Sequence, residues 1–124
     1  MTIDLEPSWR HQDAGGSDLS VAVALFRSLA DPTRLAVIQL LAGGEQRVTD
    51  LVGELGLAQS TVSAHLACLR DCRLVAFRAQ GRQSFYYLTR PEVLDVLRSA
   101  EAVLAATGDA VALCPAYGAG SQTP

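Results

Sequence analysis

Apolar positions recur at helical spacing along most of the chain and change to alternation only once. Ser17 or Asp18 can cap a first helix that runs to about Leu29. Asp31-Pro32 starts a second. The Asp caps it, and Pro fits the first turn, where its missing N–H is no loss. Leu35, Ile38 and Leu41 then follow at helical spacing, and Gly43-Gly44 closes the segment. A third helix covers about Thr49 to Leu55, with Gly56 as its left-handed stop. After a short turn at Leu57-Ala58, a fourth runs from Gln59 to about Asp71. Leu74–Gln80 and Gln83–Leu88 read as two strands joined by a Gly81-Arg82 turn. Pro91 opens a last helix whose apolar stripe includes Val93, Val96, Leu97, Ala100, Val103 and Leu104.

The order α-α-α-α-β-β-α is mainly helical with a β-hairpin wing. A short helix, a glycine turn and a second helix form a helix-turn-helix, here followed by that wing. Residues 1–16, with Pro7, Gly15 and Gly16, read as a flexible N-terminal arm. Residues 17–106 read as one DNA-binding and dimerisation domain, and 107–124 as a flexible tail rich in Gly and Ala. At 124 residues the core is modest, so a partner subunit is expected to add stability.

The net charge of −3 argues against a nucleic-acid binder only until its distribution is considered. Residues 59–90 hold Arg70, Arg73, Arg78, Arg82 and Arg90 against the single acid Asp71. An acidic body with one basic surface binds phosphates at that surface and repels them elsewhere. On the fourth helix Val62, Leu66 and Leu69 form an apolar edge. The other side carries Gln59, Ser60, Thr61, Ser63, Ala64 and His65, short and polar enough to enter a major groove. Arg70 at the far end, and Arg78, Arg82 and Gln83 on the hairpin, are placed for phosphates or an adjacent groove. An intramolecular hydrogen bond and a place as fourth ligand to a metal are the other uses of His65. His11 falls in the arm and is expected to be solvated.

Cys68 and Cys72, four apart on the fourth helix, project from one flank and can share an ion. Two thiolates hold a metal poorly, and Cys114, next to Pro115 in the tail, is the available third. Three sulfurs favour Cd(II), Pb(II) or As(III) over Ni(II), Co(II) or Mn(II). Three alternatives stand beside this one. The cysteines could be small buried hydrophobes, a thiol redox sensor, or part of a structural zinc or adaptor module that does not bind DNA. An i,i+4 pair in an intact helix is poorly placed for a disulfide. No nucleophile–base pair, phosphate loop or carboxylate dyad suggests an enzyme. The polar start lacks a signal peptide's apolar core and no stretch approaches a membrane span, which predicts a cytoplasmic protein.

Several segments together resemble the ArsR/SmtB family of metal-responsive repressors. They are Leu29-Ala30-Asp31-Pro32-Thr33-Arg34-Leu35, the stretch Leu55 to Leu66, Leu69-Arg70-Asp71, and Gly81-Arg82-Gln83 with Tyr86-Tyr87. The resemblance spans about residues 18–106. It implies a homodimer held by the first and last helices, for which Val21, Leu25, Leu29, Val93, Leu97 and Leu104 supply apolar surface. It also implies a two-fold operator read by one helix per half-site. Arg73 departs from the glycine the family often has at that helix stop. The stretch His65 to Cys72 is similar to the cysteine pair of the family's cadmium- and lead-sensing members. In those members a tail cysteine completes the site, which implies Cys68 and Cys72 of one subunit with Cys114 of the other.

Overall fold

A computed structural model describes residues 19–113. Residues 1–16, read above as an arm, the cap candidates Ser17 and Asp18, His11 and Cys114 lie outside the described residues. The elements are α1 (Leu19–Leu29), α2 (Pro32–Ala42), β1 (Gln46–Arg47), α3 (Val48–Leu55), α4 (Gln59–Asp71), β2 (Val75–Gln80), β3 (Gln83–Leu88) and α5 (Glu92–Ala106). The two strands and five helices expected are therefore present, with one strand added. The Asp31 carboxylate accepts from the Arg34 N–H at 3.0 Å and caps α2, whose Pro32 sits at the first helical position. Gly56 adopts φ 68° and donates to the Val52 carbonyl, ending α3 as a left-handed glycine should.

The added strand, β1, pairs antiparallel with β3 (Gln46 opposite Tyr86, Arg47 opposite Phe85), so the sheet order is β1-β3-β2. Two polar residues carry no alternation, so only their partner strand reveals them. Arg47 also opens α3. Its backbone N–H and its guanidinium both donate to the Asp50 carboxylate, at 2.9–3.1 Å. That fork fixes the angle at which α3 leaves the sheet.

The core lies where α2, α3, α4 and α5 meet the sheet. Val37, Ile38, Leu51, Val62, Leu66 and Leu69 are wholly inaccessible there. Leu29, Val93 and Leu97 belong to this same core, at 8%, 3% and 3% exposure, which corrects their assignment to a dimer surface. Leu25 is half-buried against the core as well. The outward apolar stripe on α1 is instead Leu19, Val23 and Phe26, spaced i, i+4, i+7, beside Val21 at 70% exposure. On α5 the exposed large side chain is Val103, next to the half-buried Leu104.

Beyond α5 the chain turns at Gly108 (φ 94°) and comes back over the helices. The Leu113 N–H donates to a Glu101 carboxylate oxygen and its carbonyl accepts from Gln39 Nε2 at 2.8 Å, while its side chain packs on the core. Composition gives this stretch no partner, yet it is anchored up to the residue before Cys114.

Arg73 is the one non-glycine residue with positive φ (62°) among the described residues. It is held there because its N–H donates to the Arg70 carbonyl and its own carbonyl accepts from Thr89 Oγ1 at 2.7 Å. The left-handed region costs an L-residue about 1 kcal/mol that glycine does not incur. Arg73→Gly keeps both backbone bonds and is expected to raise stability by about that amount in urea unfolding. A loss of stability would show that the arginine side chain contributes more than the strain it causes.

Candidate functional site

The helix-turn-helix surface is built outward from the buried edge of α4. With Val62, Leu66 and Leu69 locked inside, helical geometry turns Gln59, Ser60, Thr61, Ser63 and Ala64 outward, and all five are exposed. The Ala58 carbonyl accepts from the N–H groups of Thr61 and Val62, and no side chain caps the helix. The N–H groups of Gln59 and Ser60, which the helix itself does not use, are therefore placed where a phosphate can meet them.

The wing folds toward this end. An open groove of about 300 Å³ brings Arg82 and Gln83 to Gln59, together with Arg47 and Thr49. Arg47, which sequence reasoning did not single out, joins the wing to α3, because its Nη1 donates to Gln83 Oε1 at 3.3 Å. Its charge is shared with Asp50, whose carboxyl is held below its ordinary range first by that guanidinium and then by the Arg47 N–H.

Two residues expected at the DNA surface have other work. The Arg78 guanidinium donates from Nε and Nη2 to the Glu45 carboxylate at 2.8–3.1 Å and lies over the Phe85 ring. Its charge is matched inside the protein. The Glu45 carboxyl is lowered, chiefly by the hydrogen bond from Arg78. His65 is turned toward α2, with Arg34 Nη1 3.2 Å from its Nδ1 and Asp31 Oδ2 at 3.7 Å. A guanidinium only donates, so Nδ1 is the accepting nitrogen in that contact. His65 therefore ties α4 to α2 by an intramolecular bond, the alternative to a groove contact. Arg70 is exposed at the end of α4, its guanidinium 5.2 Å from the centre of the Phe77 ring.

The two described cysteines are free and half-buried. The Cys72 N–H donates to the Cys68 carbonyl at 3.3 Å, so the helical turn between them is intact and their Cα atoms are about 6 Å apart along the axis. Cys72 faces α1. Its Sγ accepts from Ser28 Oγ at 3.2 Å and donates to the Ala24 carbonyl at 3.7 Å. Next to it, Val21, Ala24, Leu25 and Arg73 help line an open cavity of about 660 Å³. Among the described residues no three His, Cys, Asp or Glu side chains come together. A metal held by Cys68 and Cys72 thus needs a ligand from elsewhere. Two free thiols one turn apart, of which Cys72 borders the cavity, fit the pairwise part of a soft-metal site.

Residues 31–76 match the profile of the bacterial regulatory proteins of the arsR family. Over 89 residues the chain is 38% identical to a Streptomyces lividans protein described as "Probable mercury resistance operon repressor", covering 72% of this chain and 71% of the relative. The chain belongs to the ArsR family.

CmtR of Mycobacterium tuberculosis, a transcriptional regulator, is 45% identical to this ArsR-family chain over 69 residues, 56% of this chain and 58% of CmtR. The homodimeric winged helix-turn-helix DNA-binding domain Mb0332 of Mycobacterium bovis, solved by NMR, superposes with a TM-score of 0.67 at 26% identity. That match covers 77% of this chain and 88% of the domain. The fold and the family are those of DNA-binding transcriptional regulators, not of enzymes. The adaptor alternative is thereby set aside. Among the described residues no helix is long and apolar enough to cross a membrane.

Proposed function

We propose that this ArsR-family protein is a cytoplasmic repressor that binds operator DNA as a homodimer and releases it when a soft metal ion binds its cysteines. The observation that carries the reading is that Cys68 lies on α4 and Cys72 caps its C-terminal end, one turn apart, on the helix that presents Gln59 to Ala64. A ligand at these sulfurs acts on the reading helix at its own C-terminal end.

Cys68 and Cys72 are the proposed pair, with Cys114 as third ligand from the partner subunit. The three thiolates would supply a soft, sulfur-only coordination suited to Cd(II) or Pb(II), with As(III) a further candidate. The name of the Streptomyces relative also points to a thiophilic metal. Gln59, Ser60, Thr61, Ser63 and Ala64 are proposed to enter the major groove, with Arg70, Arg82 and Gln83 on backbone and wing contacts. The exposed stripe Leu19, Val23 and Phe26, with Val21, Val103 and Leu104, is proposed to pair the subunits.

A ligand that prefers the free conformation weakens DNA binding by its coupling free energy. Such couplings run at about 1–3 kcal/mol, or roughly 5- to 150-fold in affinity. In a fluorescence-anisotropy titration of operator DNA, Cd(II) is expected to weaken wild-type binding within that range. Cys68→Ser and Cys72→Ser are expected to bind operator and to stay bound when Cd(II) is added. Release of either variant by Cd(II) would place the sensing site elsewhere. Mild peroxide is expected to form no Cys68–Cys72 disulfide, since the Cβ atoms of an i,i+4 pair in an intact turn, about 5–6 Å apart, lie beyond disulfide reach.

A further inference from the structure

Ser28 is a polar side chain at 2% exposure, placed where a helix would ordinarily bury carbon. A helical serine usually returns its hydroxyl to the carbonyl four residues back, which here is that of Ala24. It does not do so. The Ser28 hydroxyl donates to Cys72 Sγ at 3.2 Å, and the Ala24 carbonyl takes the Cys72 thiol at 3.7 Å. One turn of α1 therefore both donates to and accepts from the sulfur at the end of α4.

The backbone of Ser28 is held just as firmly. Its carbonyl accepts from Arg34 Nε at 2.6 Å, and Arg34 Nη2 takes the Arg27 carbonyl at 3.1 Å. These are end-of-helix carbonyls that α1 cannot satisfy itself. The same guanidinium reaches His65 Nδ1 through Nη1. The corner between α1 and α2 thus grips α4 at His65 and at Cys72, seven residues and about two turns apart, with Ser28 common to both attachments.

We infer that Ser28 is a positioning residue. Buried between α1 and α4, it sets the angle of the DNA-reading helix by holding Cys72 directly and the His65 turn through Arg34. On the metal reading proposed above, an ion shared with Cys68 competes with α1 for the Cys72 sulfur. Loosening the Ser28 contact is then the step that carries ligation to the reading surface.

The test compares operator affinity without metal for wild type, Ser28→Ala, Cys72→Ala, Cys72→Ser and the Ser28→Ala/Cys72→Ala double variant. Losing one buried hydrogen bond between the two helices is expected to weaken operator binding by about fivefold in Ser28→Ala and in Cys72→Ala alike. The double variant is expected to be no weaker than either single one, because both remove the same contact. Cys72→Ser keeps a hydroxyl for Ser28 and is expected to recover part of the affinity that Cys72→Ala loses. With Cd(II), the ratio of free to loaded affinity is expected to shrink in Ser28→Ala, while sulfur-to-metal charge transfer keeps its wild-type stoichiometry.

Wild-type operator affinity in Ser28→Ala, with only its melting temperature lowered, would overturn the inference. Losses that add in the double variant would do the same. Should Ser28→Ala fail to fold, the comparison of Cys72→Ala with Cys72→Ser decides, and equal affinities would count against Ser28. A wild type that shows no charge-transfer band would sink the metal reading, while the metal-free comparison would still test the role of Ser28.

Discussion

Phe26→Asp is expected to convert the protein from dimer to monomer in sedimentation velocity and to weaken operator binding by about two orders of magnitude. Phe26 is 60% exposed and lies with Leu19 and Val23 on one stripe of α1. Large apolar side chains gathered at i, i+4, i+7 on an outer helix mark a face that another surface covers. Burying a carboxylate against such a face costs several kcal/mol unless it finds a cation. A monomer also presents one reading helix instead of two, so the linkage between half-sites is lost. The core does not include Phe26, so far-ultraviolet circular dichroism is expected to stay as in wild type. An unchanged mass in solution would remove this stripe from the subunit contact.

Leu66→Ala is expected to cost about 3 kcal/mol in urea unfolding, within the usual range for truncating a fully buried leucine. Leu66 is wholly inaccessible and lies between Val62 and Leu69, which are equally buried. The cavity would open under the middle of α4, one residue from His65. Such a loss is a large share of a small domain's stability. Operator affinity is expected to fall with it, because the same edge that stabilises α4 orients Gln59 to Ala64. A cost below about 1 kcal/mol would mean that the surrounding helices collapse onto the vacancy and that the edge is not rigid.

What the chain discloses before folding depends on how local each feature is. The limits of α4, the Gly56 stop and the hairpin turn at Gly81 (φ 65°) are set by a few adjacent residues, and the pattern shows them. The i,i+4 spacing of Cys68 and Cys72 is equally local. The orientation of α1 is not, because it is apolar on nearly every side and periodicity offers two stripes. Only packing shows that Leu29 faces inward and that Phe26 faces outward. Glu45 and Arg78 are 33 residues apart, so a charge count over residues 59–90 cannot see that the arginine is matched. β1 exists because β3 lies beside it. The Ser28–Cys72 contact joins residues 44 positions apart, and no sequence motif marks it.

The most direct measurement is a titration of the reduced protein on its promoter DNA with Cd(II) and Pb(II), following sulfur-to-metal charge transfer and operator release together. The expected result is a saturable band at a single ion per subunit, rising in step with release and absent in Cys68→Ser. Release without the band, or a full band on a protein that keeps its DNA, would contradict a metal sensor built on the reading helix.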